Sequence, residues 1–327
     1  MQPIVVLGGY GRIGRLCVAE LVSRTRSPIR IAGRNAQRAE SLALSLGERA
    51  RATYADARDS RVLARVLEGA AAVVDCSGGD ALVALRCALE LRVPFVGLSP
   101  IPLELRSRKQ LAEQAWLAQI PMLLHAGALP GIPGLLAESL VRRVPRIQRL
   151  CIASTGPFVE SETARRDQET QRLRQAGAAP RRARLLPELW RFSDPVGRRA
   201  VASAPCADLE GFAEAHCVEQ LEYLEPRAGT LGRAIARVVS RAAASGFAVA
   251  ARAFTGELAD EPAAEIEVSA ADSLTPAAAL AGALTAAVVE GRVPAGLSFA
   301  REALSPAAAL GELEKRGARV RSQVPAR

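Results

Sequence analysis

A short β-branched run, Ile4–Leu7, breaks into Gly8-Gly9-Tyr10-Gly11-Arg12-Ile13-Gly14 and continues as an amphipathic stretch over Ile13–Val22. A strand that ends on G-x-G-x-x-G and opens a helix has few folds available to it. The first glycine permits the tight turn, the second lets a phosphate approach the backbone, and the third allows the helix to close on the strand. The helix N-terminus then offers unpaired N–H groups and a partial positive charge to an anion. The motif therefore predicts a dinucleotide-binding loop, with Gly9, Tyr10, Gly11, Arg12, Ile13 and Gly14 against the pyrophosphate.

The pattern downstream agrees. Strand-like runs at Ile29–Ala32, Ala50–Tyr54, Ala71–Asp75, Pro94–Leu98 and Pro121–Leu124 alternate with helical repeats at Ala36–Leu46, Val62–Leu67, Ala81–Leu91 and Leu103–Ala118. Such alternation predicts a doubly wound parallel sheet covered by helices on both faces. Ligands of such sheets lie beyond the carboxyl ends of the strands. The expected site is therefore built from residues 8–14, 33–35, 54–56, 75–79, 97–99 and 125–127.

The end of the second strand bears on which dinucleotide. An NAD site places an acid about twenty residues past the glycine motif to hold the ribose hydroxyls. Here the run is Gly33-Arg34-Asn35-Ala36-Gln37-Arg38, without a carboxylate. Arg34, supported by Asn35 and Arg38, suits a 2′-phosphate, so the expected cofactor is NADP(H). Asp56 is expected near the adenine side or at the start of the next helix, and Cys76, Ser77 and Gly78 beside the nicotinamide.

The runs IVVLGGYGRIGRLCVAELV and IAGRN, then AAVVDCSGG, CALELRVPFVGLS and HAGALPGIPGLL, resemble the saccharopine dehydrogenase-like oxidoreductases. Residues 275–290 with the following Gly291-Arg-Val-Pro-Ala-Gly296 resemble that family's closing helix and tail. The resemblance implies an NAD(P)-binding Rossmann domain followed by an α+β domain of mixed or antiparallel sheet that carries substrate binding and homodimerisation. It further implies hydride transfer at a C=N or C=O carbon. One position departs: Gly97 stands where the family has an aspartate, so saccharopine itself is not the expected substrate.

The expected organisation is residues 1–145 as the Rossmann domain, 146–292 as the substrate domain and 293–327 as a tail returning to the first. Between them, residues 160–184 are dense in arginine, an exposed helix or an anion-recognising lid. The chain has 43 basic and 34 acidic residues, a net +9, yet lysine occurs only at Lys109 and Lys315. That is a compositional bias, and no aromatic-interleaved basic motif accompanies it, so a nucleic-acid partner is not expected. The six cysteines form no C-x-x-C pair and no metal-finger spacing with His125 or His216, so no metal is expected. With a strand this early in the sequence a signal peptide is not expected, and no apolar run is long enough to span a bilayer. A reduced, cytoplasmic enzyme with a small-molecule substrate is the expectation.

Hydride chemistry asks the protein mainly for positioning and for a proton donor or acceptor. His125, at the end of the sixth strand, is the candidate acid or base, with a structural role in the following turn as the alternative. Ser99 is a candidate substrate or relay hydroxyl. The rival reading is a non-catalytic NADP-binding redox sensor or assembly protein.

Overall fold

In the computed structural model, residues 1–323 are described apart from 79–80, 102, 104, 157–187, 227–245 and 257–258. The arginine-dense stretch expected at 160–184 lies outside the described residues. The chain divides into two units.

The first unit takes residues 1–131 and 274–305. Its strands are β1 (Ile4–Leu7), β2 (Ile29–Gly33), β3 (Ala50–Tyr54), β4 (Ala72–Asp75), β5 (Phe95–Gly97), β6 (Pro121–Leu124) and β13 (Gly296–Phe299). They form one sheet in the order β13-β6-β5-β4-β1-β2-β3, every pairing parallel. The connecting helices are α1 (Arg12–Arg24), α2 (Ala36–Leu46), α3 (Ser60–Leu67), α4 (Ala81–Glu90) and α5 (Leu105–Leu117). The reversal of direction between β1 and β4 opens the crevice that doubly wound sheets use for ligands. Because both faces are covered, β1 and β4 are buried along their whole length; β1 is apolar throughout, and β4 is apolar up to the Asp75 that closes it. On one face Val5, Leu7, Val73 and Phe95 pack against Leu63, Leu67, Leu85 and Leu111 of the helices.

Helix α8 (Leu274–Val289) also belongs to this unit and packs along α1. Its alanine-rich sequence has no polar face, which fits a helix buried on nearly every side. The approach is close: a Cβ at Gly282 would lie 2.7 Å from the Cβ of Glu20.

The second unit takes the described residues of 132–158 and 172–273, and 306–323. It contains α6 (Ile132–Val141), β7 (Arg149–Ser154), β8 (Glu188–Arg191), β9 (Arg198–Ser203), α7 (Phe212–His216), β10 (Gln220–Pro226), β11 (Phe247–Phe254), β12 (Ala264–Ala270), α10 (Pro306–Glu314) and β14 (Arg319–Gln323). A short helix α9 (Ala300–Ala303) precedes α10 but stays with the first unit. The second sheet runs β14-β12-β11-β7-β10-β9-β8. It is mixed, with β7 and β10 parallel and the other neighbours antiparallel. Its core gathers Trp190, Phe192, Val201, Leu224 and Phe254.

The division departs from the expected one. The boundary falls after Gly131 rather than after residue 145, because α6 packs on β11 and β12 of the second sheet. Residues 274–289, expected in the second domain, go to the first because their apolar surface is spent on α1. The tail splits: β13 pairs with β6, whereas β14 pairs with β12 of the other sheet.

Candidate dinucleotide site

The carboxyl edge of the first sheet collects the glycine loop. Gly8, with φ +70, makes the turn out of β1, and its N–H reaches the carbonyl of Ala32 at 2.8 Å. Gly14 carries the tightest approach: a Cβ there would stand 2.2 Å from the Gly8 oxygen and 2.7 Å from Gly9 Cα. Gly11 is the N-cap of α1 and brings no side chain to it, and the first turn holds no acid. The N-terminus of α1 thus opens directly off the glycine loop, with no carboxylate of its first turn to compete with a phosphate. This cradle, which side chains at Gly11 or Gly14 would invade, fits a dinucleotide pyrophosphate.

The end of β2 departs from expectation in one respect. Tyr10, expected against the pyrophosphate, lays its ring across β2, where a Cβ on Gly33 would be 2.4 Å from it. Its hydroxyl accepts the N–H of Asn35 at 3.0 Å. Asn35 in turn caps α2 by accepting the N–H of Arg38 at 2.9 Å. Arg34 and Arg38 are exposed, and the Arg38 guanidinium lies 5.2 Å from the Tyr10 ring centre. Two cations with no acid between them fit a phosphate on the adenosine ribose.

At the next edge strand Asp56 accepts the Arg58 N–H at 3.0 Å. The cap of α3 is a different residue, Asp59, whose carboxylate takes the N–H groups of Arg61 and Val62. The sequence left Asp56 open for that cap, with a helix beginning near Arg58; the helix starts two residues later, at Ser60.

On the other side of the crevice β4 ends at Asp75, in register with Leu7 of β1 and Gly97 of β5. Asp75 is 1% exposed, and its Oδ1 accepts both the N–H and the hydroxyl of Ser77, at 2.9 and 2.7 Å. Burial pushes its carboxyl up, against the pull of those two bonds. Cys76 bonds its N–H to Leu7 at 2.9 Å. The Cys17 thiol hydrogen-bonded to Cys76, together with burial, holds the Cys76 thiol well above its usual range. A thiol kept protonated is a packing group beside a ligand and a poor nucleophile. Asp75 fell within the expected edge, residues 75–79, without a role of its own, and Cys17 was not placed at the site; the signal for Asp75 was an acid closing a buried strand.

Backbone bonds continue along the edge, from Leu98 to Asp75 at 3.3 Å and from Ala126 to Gly97 at 2.9 Å. Ser99 and His125 therefore stand at neighbouring strand ends, as expected; Ser99 is half-buried. His125 is 3% exposed, has φ +61, and stacks on Phe299 with ring centres 5.0 Å apart. The guanidinium groups of Arg301 and Arg108 lie 4.2 and 5.5 Å from the same Phe299 ring. Phe299 and Arg301 come from 175 or so residues downstream of His125, a pairing that no local pattern announces. No group of three or more potential metal ligands occurs among the described residues. Nor, among them, is any helix long and apolar enough to cross a membrane.

Comparison with known proteins agrees with this geometry. Residues 4–119 match the family model described as the saccharopine dehydrogenase NADP binding domain. The structure of saccharopine dehydrogenase (L-Glu forming) from Saccharomyces cerevisiae superposes with a TM-score of 0.66 at 13% identity, covering 99% of this chain and 100% of that one. A myo-inositol dehydrogenase from Corynebacterium glutamicum follows at a TM-score of 0.50 and 16% identity, covering all of both chains. At these identities the superpositions speak for the fold. A comparison with curated proteins gives no match. Fold, glycine loop and family match together define the class: an NAD(P)-dependent oxidoreductase. Within that class, residues 4–119 are similar to the saccharopine dehydrogenase NADP binding domain.

Proposed function

We propose that the protein is an NADP(H)-dependent oxidoreductase acting at a C=N or C=O carbon of a small imine, amino-acid or keto-acid derivative. The observation that carries the cofactor choice is the end of β2, where Arg34 and Arg38 are exposed and residues 33–38 include no carboxylate. When bound, the cofactor supplies or accepts hydride. The glycine loop and the N-terminus of α1 hold the pyrophosphate. Arg34 and Arg38 pair with the 2′-phosphate, where a guanidinium gives charge-assisted hydrogen bonds. Cys76, Ser77 and Gly78 seat the nicotinamide half. His125 and Ser99, at adjacent strand ends, orient the substrate's polar group and handle its proton. The protein acts in the cytoplasm, as a homodimer, on a small-molecule substrate, without nucleic acid or membrane partners.

A second reading is supported by Gly97, which replaces the family's aspartate, and by the burial of His125. In it the protein binds NADP(H) without turning it over, as a redox sensor or assembly partner.

Fluorescence titration of the purified protein with NADPH and NADH tests the cofactor. NADPH should bind the more tightly, and Arg34→Ala should cost about tenfold or more for NADPH while leaving NADH nearly unchanged. Equal affinity for the two would overturn the NADP assignment. Binding without oxidation of NADPH across a panel of imines and keto acids would favour the second reading.

A further inference from the structure

Resting on that cofactor reading, we infer that Asp75 is a positioning residue for the nicotinamide half of the dinucleotide: through Ser77 it sets the shape of the turn that seats it. Asp75 ends the central strand β4, next to β1 on one side and β5 on the other. The rest of that strand is Ala72, Val73 and Val74, buried and apolar. Packing alone therefore gives no reason for an acid at this position, and burying one is costly unless it does something for the fold or the site.

What it does is local and specific. Oδ1 takes two hydrogen bonds from one residue, the Ser77 N–H and the Ser77 hydroxyl. Oδ2 is equally buried and has no hydrogen-bond partner among the described residues. The turn is clamped from its other side by the glycine loop, since a Cβ on Gly8 would lie 2.8 Å from both the Cys76 oxygen and Ser77 Cα. Gly8 itself is bonded to β2 through Ala32. Residues 76–78 are thus pinned by β1 at Cys76, by the acid at Ser77 and by a left-handed Gly78 with φ +58. The Cys76 and Ser77 N–H groups are spent on these bonds, so what the half-buried turn offers the nicotinamide half is a surface of fixed shape. The adenosine end is held separately, two strands away at the end of β2.

That separation gives the test. Calorimetric titrations would use NADPH and, as a probe lacking the nicotinamide half, adenosine 2′,5′-bisphosphate. The proteins are the wild type, Asp75→Ala, Asp75→Asn and Ser77→Ala. Asp75→Ala should weaken NADPH about tenfold, the loss expected for a hydrogen-bonded clamp, and leave the bisphosphate within about twofold. Asp75→Asn keeps an oxygen for Ser77 and should restore most of the NADPH affinity. Ser77→Ala should move in the same direction as Asp75→Ala by a smaller factor, and it decides the matter if Asp75→Ala does not fold. Unchanged NADPH affinity in both, or equal weakening of both ligands, overturns the positioning role. A wild type that binds neither ligand overturns the cofactor reading instead, and this inference with it.

Discussion

Replacing Gly14 by alanine asks the glycine loop to accept one methyl group where the backbone already sits. The added Cβ would be 2.2 Å from the Gly8 oxygen, 2.7 Å from Gly9 Cα and 2.9 Å from the Gly8 carbonyl carbon. Ordinary contact begins roughly 1 Å further out, so the loop or the start of α1 must move by about that distance. All three obstacles are backbone, and no side chain can rotate to relieve them. Overpacking of this kind costs about 1–3 kcal/mol. Alanine's better helix propensity returns at most about 1 kcal/mol, leaving a net loss near 1–2 kcal/mol. For a unit of this size that lowers the unfolding midpoint by about 2–8 °C. The displaced loop also no longer fits a pyrophosphate, so NADPH affinity should fall by about tenfold or more. Gly11→Ala is the control for stability, because its only close neighbour is the Gly8 oxygen at 3.0 Å. It should lower the midpoint by less than Gly14→Ala while still hindering the phosphate. Calorimetric melts and NADPH titrations of the two variants check the pair. If Gly14→Ala melts and binds like wild type, the close approach of α1 to β1 is not what shapes the loop, and the argument from Gly14 fails.

Other outcomes follow from single contacts. Asp59→Ala removes the cap that accepts two N–H groups of α3 and should cost about 1 kcal/mol in a denaturant titration, with no effect on NADPH binding. Tyr223→Phe deletes a buried hydroxyl that lies 2.8 Å from the Ser154 hydroxyl, and should lower stability by about 1–2 kcal/mol in the same assay. Glu267 is buried in the second unit with both oxygens accepting the Ser193 N–H. Burial raises its pKa, the Ser193 bonds and Arg321 oppose the rise, and Glu265 adds to it. A folded pKa above the unfolded one means that the group's stabilising contribution is complete below the unfolded value and is lost as pH rises through the folded value. Melting wild type and Glu267→Gln side by side should therefore show the wild type losing ground as pH climbs from acid to neutral. A constant difference would refute that account.

Much of the first unit was legible in the sequence because its signals are local. β1, α2, β3 and β6 fall on the residues their patterns predicted, Ile4–Leu7, Ala36–Leu46, Ala50–Tyr54 and Pro121–Leu124. A β-branched run, a glycine turn and a helical repeat each act within a few residues of themselves. The glycine loop, Arg34 and the acid-free end of β2 belong to the same category. Tertiary structure decided the rest. That Tyr10 covers Gly33, that Phe299 returns to stack on His125, and that α8 joins α1 rather than the second unit depend on which apolar surfaces find each other across long stretches of chain. The pairing of β7 with β10, parallel and some seventy residues apart, is of the same kind. Asp75 shows the boundary most plainly: the sequence displays an acid at the end of a strand, but only the folded sheet buries it, strips its carboxylate of water and leaves Ser77 to satisfy it. Local pattern chooses elements, because φ/ψ preference and side-chain period are properties of neighbouring residues. The chemistry of a buried group is set by dielectric and by partners, and both exist only once distant segments have packed.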